Sequence, residues 1–187
     1  MIWVAHANEG AVHKISPAGA VTTIYPQRTN DLISVAVAPS GNLFIANSRA
    51  HTVEEVSRAG KFVRWIGGGF RRPYDVMLDS TGNIYVADSG NNAVQVFSPA
   101  GASIRTVTVD QPFRVAVDPS GNLYVACAGD GTIRKILPDG TKITLLAGLD
   151  LPNGVAVDAA GHVYACDFNS NTVYALPPPP ATTSPAK

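Results

Sequence analysis

The sequence predicts an all-β protein, a β-propeller built from four-stranded antiparallel blades, with about five blade-like repeats. The main observation is an internal repeat of about 40 residues. An aromatic residue recurs in each copy, at Trp3, Phe44, Tyr85, Tyr124 and Tyr164. A β-branched residue follows it nine positions later, at Val12, Val53, Val94, Ile133 and Val173. Two residue classes that keep one spacing through the chain indicate a repeated structural unit.

The third copy shows what the unit contains. Segments rich in Val, Ile and aromatic residues at 73–79, 84–88, 93–97 and 102–109 are separated by clusters of Gly, Pro, Asn, Asp and Ser. This pattern predicts four short strands, A to D, joined by tight turns. Strands A and B are almost continuously apolar, whereas C and D admit polar residues. We therefore expect A and B to be inner strands, buried on both faces, and C and D to be outer strands.

The repeats predict one propeller domain over residues 1–176, followed by a Pro-rich tail. The expected units are residues 1–30, 31–69, 70–109, 110–148 and 149–176. The first unit lacks strand A and the last lacks strand D, so the propeller is expected to be truncated or incomplete. Its open edges could then mediate self-association. Residues 177–187 are expected to form a disordered linker.

Composition excludes several classes of protein. The 14 Lys and Arg balance the 14 Asp and Glu, which argues against nucleic-acid binding driven by bulk charge. No apolar run approaches the roughly 20 residues of a bilayer span, and we expect no membrane partner. The many Ala, Thr, Ser and Pro residues favour an exported or cell-surface bacterial protein, although the sequence after Met1 does not read as a signal peptide.

The loops of the repeat differ between the two ends of the blades. The A–B turns are uniform, as in Asp118-Pro-Ser-Gly121, and suit tight turns in which Asp caps the backbone. The B–C loops, by contrast, vary from copy to copy. Variable loops on a repeated scaffold can carry specificity without disturbing the packing. We therefore predict that ligands bind the end formed by the B–C and D–A loops.

The candidate ligand-binding residues lie in these loops or at the start of strand A. They are Asn47, Arg49, His51, Arg71, Arg72, Tyr74, Asp75, Asp88, Phe113, Arg114, Asn153, Asp167 and Asn169. Aromatic rings beside an acid, a base and an amide suit a small polar ligand or a peptide.

Structural roles for the same residues stay open. Asp88 and Asp167 could bond loop amides, as Asp commonly does in turns. Tyr74 and Phe113 could fill the axis. Asp75 and Arg114 could pair across neighbouring blades.

Residues 58–72 contain five basic residues and no acid. The predicted topology places Arg58 at one end of the blades and both Arg71 and Arg72 at the other. A solvated outer edge is therefore favoured over a nucleic-acid footprint.

Cysteine and histidine provide no metal motif. Cys127 and Cys166 are the only cysteines, and neither belongs to a Cys-x-x-Cys pair. Buried thiols and a disulfide both remain open. His6 and His51 are expected on the ligand-binding face without a third ligand, so we predict no metal, no cofactor and no catalytic residues.

The fourth copy carries the motif by which the sequence resembles a known family. Pro112-Phe-Arg-Val115-Ala-Val-Asp118 and Ser120-Gly-Asn-Leu-Tyr-Val-Ala126 resemble the NHL-repeat family of propellers. The resemblance covers residues 1 to about 176, and it weakens in the second copy, where Ala38 replaces the Asp before the turn. Related gluconolactonase-like propellers imply an axial divalent cation, for which Asn153 is the one matching ligand.

The leading prediction is a non-enzymatic propeller module that binds a protein, peptide or small polar ligand through its B–C and D–A loops. One alternative is a truncated or degenerate propeller lyase or lactonase with an axial divalent metal ion, as streptogramin-lyase-like and gluconolactonase-like propellers imply. A second alternative, implied by RNA-binding members of the family, is RNA binding.

Overall fold

The computed structural model describes residues 1–26 and 31–178, of which Pro26 is described in its backbone only. These residues form 18 β-strands and one short 3₁₀ turn at Ser89–Asn91. The strands make five antiparallel sheets that follow one another as the blades of a propeller. The predicted all-β propeller is confirmed.

Each blade is a simple meander in which neighbours in the sheet are neighbours in the chain. Blade 1 contains β1 (Ile2–His6), β2 (Ala11–Ile15) and β3 (Val21–Pro26). Blade 2 contains β4 (Leu32–Val37), β5 (Leu43–Asn47), β6 (Thr52–Val56) and β7 (Phe62–Trp65). Blade 3 contains β8 (Pro73–Leu78), β9 (Ile84–Asp88), β10 (Ala93–Phe97) and β11 (Ser103–Thr108). Blade 4 contains β12 (Pro112–Val117), β13 (Leu123–Cys127), β14 (Thr132–Ile136) and β15 (Lys142–Leu146). Blade 5 contains β16 (Pro152–Val157), β17 (Val163–Asp167) and β18 (Thr172–Leu176).

The described parts of blades 1 and 5 have three strands each, and the three middle blades have four. Blade 1 starts with the strand that corresponds to B, and blade 5 ends with the strand that corresponds to C, as the repeat predicted. Most of the predicted tail, residues 179–187, lies outside the described residues. No helix in the described ranges has the length and apolar character needed to cross a membrane.

Hydrophobic layers between successive blades hold the structure together. We call the side of a blade that is turned toward the next blade its forward face. The recurring aromatic and β-branched residues occupy this face. Phe44 and Val53 of blade 2, for example, pack against Val76 and Ile84 of blade 3. All residues of the second strand of blades 2, 3 and 4 are buried, because these strands are covered on both sides.

Polar contacts add specific ties between blades. The Tyr25 hydroxyl of blade 1 donates a hydrogen bond to Glu54 of blade 2 at 2.7 Å, and burial raises the pKa of both groups. Arg64 of blade 2 binds Glu55 on its own sheet and donates to the Pro99 carbonyl of blade 3 at 2.6 Å. One repeat later, Arg105 donates to the Pro138 carbonyl of blade 4 at 3.1 Å.

The A–B turns have the structure that their sequence predicts. Asp118 Oδ1 accepts hydrogen bonds from the backbone N–H groups of Ser120 and Asn122, both at 2.9 Å, and Gly121 has a φ of 79°. Partial burial opposes ionisation of Asp118, but these hydrogen bonds and those from the Asn122 and Tyr124 side chains hold its pKa below the ordinary value. The turn aspartates are therefore structural.

The outer sides of the two terminal blades are exposed. On the forward face of blade 5, Tyr164 is 40% and Val173 is 67% exposed, whereas their blade 4 counterparts Tyr124 and Ile133 are 1% and 0% exposed. On the opposite end of the row, Ile2 of blade 1 is 63% exposed. Cys166 is exposed because it lies on the uncovered forward face of blade 5, so the expectation of a buried thiol is wrong for this residue.

Cys127 lies on the side of blade 4 that is turned toward blade 3, and it has the expected buried environment. Both cysteines are free thiols in the structure. Burial raises the pKa of the Cys127 thiol to about 11. This thiol is therefore protonated and unreactive at neutral pH.

Matched truncations of Val53 and Val173 test the packing, because the two residues hold equivalent positions on blades 2 and 5. Val53→Ala should lower the free energy of unfolding by about 2 kcal/mol, since it opens space in a closed layer. Val173→Ala should change it by less than about 0.5 kcal/mol, as is usual for exposed positions. Urea denaturation measures both values, and equal losses would contradict the blade assignment.

A pH comparison tests the role of Asp118. Its pKa is lower in the folded state, so its stabilising effect is present above the ordinary Asp pKa of about 4 and is lost as the pH falls through the folded value. Asp118→Ala should lower the free energy of unfolding by about 1 kcal/mol at pH 7 and by less at pH 3. Asp118→Asn, which keeps an acceptor oxygen, is the control and should lose less at pH 7. A cost that is the same at both pH values would show that the ionised carboxylate is not needed.

Candidate functional site

The B–C and D–A loops meet at one end of the blades, which we call the top face. The backbone joins them in each case. Gly90 of a B–C loop donates to the Arg71 carbonyl of the preceding D–A loop at 2.7 Å. In the next blade, the Ala128 N–H donates to the Gln111 carbonyl at 3.0 Å. The loops chosen from the sequence therefore form a continuous surface.

Asp88 and Asp167, two of the candidate residues, are buried within these loop junctions. Asp88 is 0% exposed and accepts hydrogen bonds from the Arg71 backbone at 2.7 Å and the Gln95 amide at 2.6 Å. Asp167 accepts from the backbone N–H groups of Leu151 at 2.8 Å and Asp150 at 3.1 Å. The bonds from Leu151 and Asp150 hold the pKa of Asp167 below its ordinary value. Both carboxylates hold loops in place.

The candidate amides are spread over the top face. Asn47 is buried in blade 2, where its Oδ1 accepts the Ala50 N–H at 2.9 Å. Asn153 is half-buried in β16, and Asn169 is exposed in the B–C loop of blade 5. None of the three lines either of the two top-face cavities described below.

Asp75 and Arg114 form an ion pair across blades 3 and 4. Asp75 is 7% exposed, and its Oδ1 lies 3.1 Å from Arg114 Nη1. The Ser34 hydroxyl of blade 2 donates to Asp75 Oδ1 at 2.6 Å, and the Val115 N–H of blade 4 donates to Asp75 Oδ2 at 3.0 Å. Burial raises the pKa of Asp75, and Arg114 opposes that effect. One carboxyl group thus joins three blades.

Tyr74 and Phe113 are stacked beside this ion pair. Their ring centroids are 4.4 Å apart and their planes differ by 4°. Arg72 covers Tyr74, with its guanidinium 5.6 Å from the ring centroid and Nη2 bonded to the hydroxyl oxygen at 2.9 Å. A group of three side chains, the stacked Tyr74 and Phe113 rings with Arg72 over Tyr74, therefore stands on the top face.

Two cavities flank Arg72 and Tyr74. The first, of about 400 Å³, lies between blades 2 and 3 and is lined by Asp31, Ile33, Ser48, Arg49, His51, Arg72 and Tyr74. The second, of about 220 Å³, lies between blades 3 and 4 and is lined by Arg72, Tyr74, Ser89, Gly90, Asn92, Gln111 and Phe113. We call them the 2–3 cavity and the 3–4 cavity.

The structure brings Arg49, His51, Arg72, Tyr74 and Phe113 together around these cavities. It adds residues that sequence reasoning missed, such as Asp31 and Gln111. A signal for them existed, because Asp31, Arg72 and Gln111 hold equivalent loop positions and all have positive φ, from 40° to 84°. Left-handed backbone at non-glycine residues recurs where a loop must turn sharply.

His51 has a defined role in the wall of the 2–3 cavity. Its Nδ1 accepts the Arg72 backbone N–H at 2.9 Å. In the next blade, Asn92 Oδ1 accepts the Gln111 N–H at 3.1 Å in the equivalent place. His51 therefore acts as a hydrogen-bond acceptor, which requires Nδ1 to be unprotonated.

The 2–3 cavity is basic. Its lining contains two arginines, Arg49 and Arg72, and one acid, Asp31. Arg71 is exposed next to Arg72, and within residues 1–26 and 31–178 neither Arg49 nor Arg71 forms a salt bridge. These cations are available to an anionic group.

A cavity of about 410 Å³ lies at the opposite end, between the turns of blades 3 and 4. Its acids, Asp79 and Asp118, accept the hydrogen bonds of their own turns. Arg105 in its wall donates to the Pro138 carbonyl. Since these polar groups already serve the fold, this cavity is a weaker candidate than the top-face pair.

His6 and His13 of blade 1 also lie close together, which the sequence pattern did not predict. Glu9 Oε2 lies 3.2 Å from His13 Nε2 and 3.6 Å from His6 Nδ1, because β1 and β2 are paired neighbours. Across the described ranges, no group of three or more His, Cys, Asp or Glu side chains is placed to hold a metal ion.

A search of curated protein sequences finds no significant match. The NHL repeat family matches residues 70–97 and 149–173, in blades 3 and 5. The fold defines the chain as a β-propeller with loop-built cavities. Two of its blades match the NHL repeat, which supports the resemblance to NHL-repeat propellers that the repeat motif indicates.

Solved structures of similar fold include enzymes and binding proteins. Virginiamycin B lyase from Staphylococcus aureus aligns with a TM-score of 0.74 at 14% identity, over 95% of this chain and 67% of the lyase. A chain of the nidogen/laminin complex aligns with a TM-score of 0.82 at 22% identity, over 92% of this chain and 70% of that one. A protein of unknown function from Bacteroides caccae aligns with a TM-score of 0.66 at 18% identity, over 85% of this chain and 64% of that protein. At these identities the likeness concerns the fold alone.

Removal of the Asp75 carboxyl tests its tie between three blades. Asp75→Ala should lower the free energy of unfolding by about 2–3 kcal/mol, because it leaves Ser34 and Val115 without their acceptor and Arg114 without its partner. Arg72→Ala, an exposed change on the same face, is the control and should cost less than about 0.5 kcal/mol. Urea denaturation of both variants provides the values. Similar small losses in the free energy of unfolding would show that the Asp75 contacts between blades contribute little to stability.

Proposed function

We propose that this chain is a non-enzymatic binding module and that its ligand occupies the 2–3 and 3–4 cavities of the top face. The observation that carries the proposal is the shared wall of Arg72 and Tyr74, backed by Phe113, between two cavities. A stacked, hydrogen-bonded wall is rigid before the ligand arrives, so little conformational freedom is lost on binding.

The chemistry of the cavities favours a small polar ligand or a protein loop with an acidic group. Arg49 and Arg72 offer guanidinium groups in the 2–3 cavity, which suit carboxylate or phosphate oxygens. The 3–4 cavity offers Ser89, Asn92 and Gln111 as hydrogen-bonding groups. Tyr74 supplies apolar surface and a hydroxyl group between them. An elongated ligand with an anionic end and a neutral polar end would use both cavities.

Binding is favoured over catalysis by the state of the acids and bases. General acid–base catalysis needs groups that can reach a substrate proton. Asp75, Asp88 and Asp167 are instead buried and bonded to protein groups. His51 Nδ1 is engaged by the Arg72 backbone. The fold shared with virginiamycin B lyase is the support for the alternative, a propeller lyase.

A ligand screen with matched variants tests the proposal. Thermal-shift measurements on the full chain, with a library of carboxylate and phosphate metabolites and short acidic peptides, should give stabilising compounds. Arg49→Glu and Tyr74→Ser should weaken their binding at least about tenfold, which corresponds to about 1.4 kcal/mol. Arg105→Glu, at the opposite end of the blades, is the control and should leave it unchanged.

Two outcomes would count against this function. Stabilising compounds that bind equally well to Arg49→Glu and Tyr74→Ser would place the site elsewhere. Consumption of a bound compound, detected by mass spectrometry and lost in the same variants, would establish catalysis at this face instead.

A further inference from the structure

The outer strand of blade 2 exposes an aromatic patch that the top-face function does not use. Phe62 is 51%, Val63 is 47% and Trp65 is 57% exposed. The Phe62 and Trp65 rings contact each other, with centroids 4.9 Å apart and planes inclined by 56°. We call Phe62, Val63 and Trp65, with Arg58 and Lys61 before them, the rim patch.

A β-bulge places the two aromatic rings together. In the pairing of β6 with β7, Glu54 faces Trp65, Glu55 faces Arg64 and Val56 faces Phe62, so Val63 is the extra residue. Without the bulge, residues 62 and 65 would lie on opposite sides of the strand. With it, Phe62 and Trp65 share one side, and Arg64 points to the other side, where it binds Glu55.

Blade 3 shows that the fold does not require these aromatic residues. Its outer strand β11 has the same bulge, with Phe97 facing Ser103 and Val96 facing Arg105. Ser103 and Thr106 stand where blade 2 has Phe62 and Trp65, and both are exposed. Arg105 repeats the inter-blade contact of Arg64. The aromatic pair is thus an addition to a structural unit that is complete without it.

The rim patch is also basic. Arg58 and Lys61 are exposed, and within the described parts of the chain neither takes part in a salt bridge. Residues 56–74 contain no acid. The Glu55 carboxylate just before them is occupied by Arg64 and by the Asn42 amide. The neighbouring A–B turn has Ala38 where blades 3, 4 and 5 have Asp.

We propose that the rim patch binds an anionic lipid surface, with Phe62 and Trp65 at the headgroup level and Arg58 and Lys61 against the negative charges. Trp and amphipathic aromatic side chains prefer the interface of a bilayer. Apolar and cationic side chains together give reversible binding that increases with the anionic lipid content. Contact with headgroups needs no membrane-spanning segment, so this proposal departs from the sequence-based expectation of no membrane partner, which rested on the lack of such a segment.

Other occupants of the rim patch fit less well. The bulge at Val63 interrupts the free edge of β7, which hinders the addition of a strand from a peptide or a second copy. Two copies would also bring like charges together at Arg58 and Lys61. Nucleic acid binding draws on many phosphate contacts, whereas this patch offers two unpaired cations on a chain of zero net charge.

Vesicle flotation tests the proposal with the full chain. We expect flotation with vesicles of phosphatidylcholine and phosphatidylserine at low salt, and weaker flotation with phosphatidylcholine alone or at high salt. A Trp3→Phe variant leaves Trp65 as the one tryptophan, and its emission should shift to shorter wavelength on addition of the phosphatidylserine vesicles.

Variants that copy blade 3 into blade 2 provide the decisive comparison. The double variant Phe62→Ser with Trp65→Thr should bind phosphatidylserine vesicles at least about tenfold more weakly. Arg58→Pro with Lys61→Ala, which also copies blade 3, should remove the preference for phosphatidylserine. Ile104→Ser, at the equally exposed bulge residue of blade 3, is the control and should bind like the original chain. Unchanged urea denaturation of each variant shows that the fold is kept.

The proposal is overturned if the original chain does not float with phosphatidylserine vesicles, or if the aromatic double variant floats equally well. Retention on poly(U) without vesicle binding, lost in the Arg58 and Lys61 variant, would assign the patch to nucleic acid. A concentration-dependent dimer without vesicle binding, lost in the aromatic variant, would assign it to self-association. None of these outcomes depends on the top-face cavities.

Discussion

Face-to-face packing of neighbouring sheets is the constraint on which the rest of this structure depends. Each middle blade presents an aromatic, a small and a β-branched residue on its forward face, and the next blade covers them completely. A single sheet of three or four strands cannot bury its own apolar faces. Every blade therefore depends on its neighbours, and the exposed sides of blades 1 and 5 are the places where this covering is lacking.

The same packing leaves the two ends of the blades free for other uses. At one end, uniform turns use aspartates such as Asp118 to satisfy the backbone. At the other end, the buried acids Asp88 and Asp167 join the B–C loops of blades 3 and 5 to the D–A loops before them. The exposed loop residues above these junctions can vary without loss of packing, and this is where the basic and aromatic cavities lie. The uniform structural turns thus lie at one end of the blades, and the variable loops with their cavities lie at the other.

Within the candidate site, the sequence indicated the end of the blades where the loop-built cavities lie, but not the roles of individual residues there. Tyr74 and Phe113 could be named because they hold the same position of the repeat, and Asp75 because it holds the next position. Whether Asp75 faces a ligand or Arg114 depends on the distance between blades, which no local pattern encodes. The His51 contact with the Arg72 backbone depends on two left-handed loop positions that approach each other only in the folded chain. The aromatic pair Phe62 and Trp65 depends in the same way on a bulge.

The sequence by itself determined the repeat length, the number of blades and the order of their strands. These properties follow from alternation, turn residues and spacing, which act over a few residues at a time. The expectation of buried A strands and wet C strands is wrong, because the A strands are only partly buried and the C strands of blades 2 and 3 are almost fully buried. The tertiary structure alone decided which polar groups pair across blades, where the cavities form and which apolar faces remain exposed. Those features arise from contacts between residues about 40 positions apart, and their geometry is set by how whole sheets stack.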